Sequence, residues 1–126
     1  MFVARSKDGG TTFLEESPAF DKPTGASACC GTKAQADDRG NLLLLYRAAT
    51  ANVNRDIVLL TSNNNGASFR GGPIHPWRIA ACPMSSASLA RSESGLVAAW
   101  ETSNRVYFSH IDPETAKVTP PMTRPG

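Results

Sequence analysis

Apolar residues in this chain come in short runs without helical spacing. Prominent among them are Leu42-Leu43-Leu44-Leu45-Tyr46 and Ile57-Val58-Leu59-Leu60, with others at Phe2-Val3-Ala4 and Leu96-Val97-Ala98-Ala99-Trp100. Gly, Asn, Asp, Pro and Ser punctuate the chain between them. Short β-rich runs bounded by turn residues predict strands throughout and almost no helix. The predicted strands lie near 29–36, 42–48, 56–62 and 69–74, then near 84–90, 96–102, 105–111 and 117–119.

The same pattern repeats. Ser6-Lys7-Asp8-Gly9-Gly10-Thr11-Thr12-Phe13 matches Ser62-Asn63-Asn64-Asn65-Gly66-Ala67-Ser68-Phe69, displaced by 56 residues. Each copy follows an apolar run. Leu42 to Arg47 matches Leu96 to Glu101 at a displacement of 54, each after a Gly turn, with Tyr46 falling on Trp100. Ala28-Cys29 matches Ala81-Cys82 at a displacement of 53. Three nearly equal displacements predict a structural unit of slightly more than fifty residues.

Four short strands per unit is the make-up of a β-propeller blade, which buries its apolar faces only by stacking on neighbouring blades. The expected fold is therefore all-β, built from blades of four antiparallel strands. Residues 1–20 supply the end of one blade, 21–74 a second and 75–126 a third, about two and a half blades in all. A ring needs about four to eight. The chain is thus expected to be a fragment of a longer protein or a subunit that completes its ring as a homo-oligomer.

Ser6-x-Asp8-x-Gly10-x-Thr12-Phe13 resembles the Asp-box, or BNR repeat, of sialidase-like propellers. The second copy departs from it at Asn64, which keeps an acceptor oxygen and loses the charge. A hairpin between third and fourth strands needs a short acidic or amide side chain to accept backbone N–H groups and a Gly at positive φ. Asp8 and Asn64 are expected in that turn-forming role, with Phe13 and Phe69 anchoring the turns. The stretches from Ala28 to Thr61 and from His75 to Glu101 are similar to bacterial sialidase-like proteins, so the resemblance spans nearly the whole chain.

That resemblance implies a glycan-active propeller, a glycoside hydrolase or its fragment acting on acidic sugars. The alternative is a noncatalytic module that binds carbohydrate or protein. Sialidases combine an arginine cluster for the sugar carboxylate, a Tyr nucleophile with a Glu, and an Asp acid/base. The family's Arg-Ile-Pro signature is missing and no Asp stands in the acid/base context, so the catalytic residues are not assigned.

Strand ends remain as candidates for substrate binding: Arg47, Arg55, Asp56 and Glu101. An arginine there suits a carboxylate, and a glutamate suits sugar hydroxyls. The plainer expectation is that Arg47 pairs with Glu101 and Arg55 with Asp56 as ordinary loop charges. Trp77, Trp100, Tyr46 and Tyr107 are candidate sugar-stacking aromatics, with Trp100 better placed as core. His75 and His110 lack a positioned Ser or Cys, which argues against a hydrolase triad.

Composition narrows the partners. A net charge of +2 over 126 residues, with scattered Lys and Arg, offers no stripe for nucleic acid. No apolar run approaches the roughly 20 residues of a membrane-spanning helix. Met1 to Ser6 does not resemble a secretory leader, leaving a cytosolic protein or one whose start lies upstream, with a secreted or periplasmic full-length form.

Cys29, Cys30 and Cys82 match no zinc spacing and have no neighbouring His, so neither metal nor cofactor is expected. Buried small hydrophobes is the plainer reading. Cys30 and Cys82, opening equivalent strands of neighbouring blades, would come within reach of a bridge in an exported protein.

Overall fold

The computed structural model describes residues 1–124 and is all-β apart from one 3-10 turn, Ala28–Cys30. Nine strands follow in chain order: β1 Phe2–Val3, β2 Ser17–Pro18, β3 Thr32–Ala36, β4 Leu42–Arg47, β5 Ile57–Ser62, β6 Arg70–His75, β7 Ala87–Ser92, β8 Gly95–Thr102 and β9 Arg105–Ile111. They form three antiparallel sheets, ordered β1-β2, β3-β4-β5-β6 and β7-β8-β9, and none of the sheets closes on itself.

The apolar runs are explained by burial on both faces of the second sheet. In β4 and β5 the register sets Leu45 opposite Leu59 and Arg47 opposite Ile57 on one face, and Leu44 opposite Leu60 and Tyr46 opposite Val58 on the other. The first face packs with Ala87, Leu96, Ala98, Trp100 and Ile111 of the third sheet. The second packs with Ala19 and the flanking Met1, Val3 and Phe20 of the N-terminal segment. A strand covered on both sides has no reason to alternate apolar with polar residues.

The outer strand β6 crosses β5 closely. Gly71 sits at φ +133°, where an added Cβ would overlap the Leu59 carbonyl oxygen, so a side chain is excluded at that point. A register shift between Ile57 and Val58 marks a bulge in the same pairing.

Three expectations are corrected. The cysteine pair at 29–30 precedes β3, because residues 28–30 close a 3-10 turn with the Cys30 N–H donating to the Ser27 carbonyl. The segment near 84–90 becomes strand only at Ala87 and runs on to Ser92. The segment 117–119 forms no strand: Val118 makes a single bridge to Ile111, and the third sheet has three strands. The Asp112-Pro113-Glu114-Thr115 turn intervenes, its Asp112 carboxylate accepting the Glu114 and Thr115 N–H groups.

Candidate functional site

Antiparallel pairing sorts the connections of the sheets to two ends. At one end lie the β3–β4 and β5–β6 turns, while the tight β8–β9 turn at Ser103-Asn104 lies at the other. Asp37 caps the β3–β4 turn, accepting the N–H groups of Arg39 and Asn41 and the Asn41 side-chain amide. The β5–β6 turn uses the repeat motif. Ser62 Oγ accepts the Gly66 N–H at 3.0 Å and donates to Asn64 Oδ1, which also accepts the Ser68 N–H at 3.0 Å.

The β1–β2 connection is built the same way. Ser6 Oγ accepts the Gly10 N–H at 2.8 Å, and Asp8 Oδ1 accepts the Thr12 N–H at 2.8 Å. The hydroxyl of Thr12 donates to Asp8 Oδ2, whereas in the second copy the Asn64 amide donates to Ser68 Oγ. The Thr12 hydroxyl and N–H, with Ser6, hold the Asp8 carboxyl at about 2. Asp8 and Asn64 are therefore turn formers, as expected. Phe69 packs on the core, but Phe13 is 65% exposed and anchors nothing, because the two-residue strands β1 and β2 offer it no apolar face.

The opposite end gathers the ends of β4, β6 and β8 and the starts of β3, β5 and β7. All four proposed binding residues meet here, around Arg47. Only 2% exposed, Arg47 donates from Nη1 to the Arg55 carbonyl at 2.7 Å and from Nη2 to the Glu101 carbonyl of the third sheet. Its guanidinium also stacks on Trp77, 5.0 Å from the ring centroid. Burial pulls the Arg47 pKa below its usual value, and Cys30, Glu101 and Asp56 beside it push the other way.

The side chains of the other three are held locally. Asp56 accepts the Trp77 N–H at 2.9 Å and so fixes the loop that carries the stacking ring. Glu101 Oε1 accepts the Asn104 N–H at 2.6 Å. Arg55 donates to the carbonyls of Asn54 and Asn52, not to Asp56. The expected carboxylate partner of Arg47 is thus a backbone carbonyl of Glu101, and the expected Arg55–Asp56 pair does not form. The Nε–H groups of Arg47 and Arg55 are buried with no protein acceptor. Glu101 also borders an open recess of about 200 Å³ with Ser86, Ser88, Trp100 and Val106.

Aromatic groups brace the same end. Trp100 Nε1 donates to His75 Nδ1 at 2.7 Å, and the His75 ring lies edge-on to Trp100 and Tyr107. Burial, and then the charge of Arg47, lower the His75 pKa, which keeps the acceptor nitrogen neutral. Tyr46 is buried with its hydroxyl 2.7 Å from Thr24 Oγ1, and burial raises its pKa. Among the described residues no tyrosine hydroxyl is hydrogen-bonded to a carboxylate.

A feature absent from the sequence expectation stands beside Arg47. Cys29 and Cys82 form a disulfide between the approaches to β3 and β7, joining the second and third sheets. The expected partner of Cys82 was Cys30. The 3-10 turn instead directs Cys30 inward, where it is a free, buried thiol, and leaves Cys29 exposed to meet Cys82. The reading of all three cysteines as buried hydrophobes holds for Cys30 alone. Trp77, a candidate sugar-stacking aromatic, stacks on Arg47; Ser27 reaches the site from a separate loop with no sequence signal, and the one signal for the Cys29–Cys82 bond is the repeat that aligns the two residues.

No protein-family model, curated protein or solved structure matches the chain.

Proposed function

We propose that the chain contributes blades to a sialidase-like Asp-box propeller and that the end of the sheets around Arg47 holds an acidic sugar. The observation that carries this reading is the convergence there of Arg47, Arg55, Asp56, Glu101 and Trp77, with two buried guanidinium N–H groups unclaimed by the protein. Arg47 acts as the rigid support, since its Nη groups are committed to carbonyls. Arg55, whose Nη groups donate only to carbonyls of its own loop, Asn54 at 3.1 Å and Asn52 at 3.3 Å, is partly exposed and would exchange those bonds for a sugar carboxylate. Asp56 and Glu101 suit sugar hydroxyls.

Binding without turnover is the favoured form of this activity. The tyrosine–carboxylate pair that a sialidase uses as nucleophile is not assembled among the described residues. Equilibrium binding to an immobilised sialylated glycan and to its desialylated counterpart, alongside release of dye from a chromogenic sialoside, tests the proposal. Expected is binding that needs the sialyl carboxylate, weakens at least tenfold in Arg55→Ala with the fold intact, and releases no dye. Equal binding of both glycans, or of neither, would overturn it, and dye release would make the chain a hydrolase.

A further inference from the structure

The Sγ atoms of Cys29, Cys30 and Cys82 all lie within 4.8 Å of one another, and two of them come from segments 53 residues apart. Cys30 Sγ is 3.9 Å from Cys29 Sγ. Ser27 Oγ reaches all three sulfurs, at 3.2 Å from Cys29, 3.4 Å from Cys30 and 3.9 Å from Cys82. A lone structural disulfide needs neither the third buried sulfur nor a hydroxyl shared among three.

We propose that, when the Cys29–Cys82 bond is reduced, these three thiolates form a binding site for one soft monovalent cation, Cu(I). Three converging sulfurs with no His, Asp or Glu among the ligand atoms within reach match the trigonal, all-sulfur coordination that Cu(I) favours. The backbone supports the assignment. Cys29 and Cys82 have Cα atoms 7.3 Å apart, beyond the roughly 4.4–6.8 Å that disulfides usually span, a separation that a sulfur–cation–sulfur bridge accommodates.

Charge also fits. Three thiolates around Cu(I) leave two negative charges, and the buried Arg47 guanidinium beside Cys30 offsets one of them. The Ser27 hydroxyl is placed to donate to a thiolate, the outer support that metal ligands commonly have.

The chemistry is balanced by a dithiol reductant. It gives two electrons and two protons to the Cys29–Cys82 bond and is itself oxidised to a disulfide. Cu(I) then displaces the three thiol protons. Bridging by disulfide and bridging by cation are alternative ways of tying the second sheet to the third. The site stands apart from the proposed sugar-binding role, which does not require it.

The test uses the full chain, reduced with a dithiol under anaerobic conditions, freed of reductant, and titrated against a chromogenic Cu(I) chelator, with Zn(II) and its own chelator in parallel. Expected is one Cu(I) per chain in the reduced protein and none in the oxidised protein. Affinity should fall at least tenfold in Cys30→Ser, which keeps the disulfide and the fold, as checked by circular dichroism. Cys29→Ser and Cys82→Ser should fall as far. Equal uptake by Cys30→Ser, no uptake by the reduced chain, or uptake of Zn(II) in preference to Cu(I) would each overturn the proposal and leave the pair as a plain staple.

Discussion

The two ends of the sheets solve one problem, the satisfaction of polar groups at strand termini, in opposite ways. At the turn end the bonds of the Ser6, Asp37 and Ser62 motifs all close within four residues. At the Arg47 end they span the chain: Arg47 reaches 54 residues to Glu101, Trp77 reaches 21 to Asp56, Trp100 reaches 25 to His75. Local closure makes each turn self-sufficient, whereas the bonds of Arg47 to Glu101 and of Trp100 to His75 depend on the docking of two sheets.

The contrast predicts that damage at the Arg47 end will loosen the whole molecule and damage at the turn end will stay local. Trp100→Ala, emptying the core between the second and third sheets, should cost about 3–5 kcal/mol in urea unfolding. A loss under about 1 kcal/mol would show that the sheets do not support each other. Reducing the Cys29–Cys82 bond without added metal should cost about 2–4 kcal/mol, read as the difference between oxidised and reduced unfolding curves. Arg47→Ala, which strips the carbonyls of Arg55 and Glu101 of a charged donor, should cost about 1.5–3 kcal/mol.

At the turn end, Ser62→Ala should cost about 1 kcal/mol, and Asn64→Asp less than about 0.5, since Ser68 need only reverse its hydroxyl to donate as Thr12 does. The smallest effects are those of pH. His75 has a folded pKa below its free value of 6.5, so its neutral form favours the native state. The stability it contributes is full above pH 6.5 and declines as the pH falls below it. In His75→Phe that decline should vanish from thermal melts taken between pH 7 and 5. Asp8, held at about 2, keeps its turn closed until the pH falls through that value, which NMR of the Thr12 amide would follow.

The same division decides what could be read from the sequence. The strands from Leu42 to Arg47, Ile57 to Ser62 and Arg105 to Ile111 are legible to within a residue, because apolar or β-rich runs bounded by turn residues mark them. The repeat motifs are legible because their bonds close locally. Four residues of the Arg47 end were picked out by strand position, yet their partners were misjudged: the sequence holds no local sign that Arg47 meets a carbonyl 54 residues away. The cysteines show this most directly. Which of two adjacent residues meets Cys82 depends on a single 3-10 turn, and no strand periodicity reports it.

The Gly66 N–H that closes the second repeat turn has one more consequence. That nitrogen follows Asn65, and in an Asn-Gly step it is the nucleophile that attacks the asparagine side chain to form a succinimide, the route by which such asparagines age into acids. Donated to Ser62 Oγ at 3.0 Å, with Gly66 buried, it is kept from that attack while the turn stays closed. The charge acquired at position 65 would then act as a clock, counting the time each molecule has spent with this turn open.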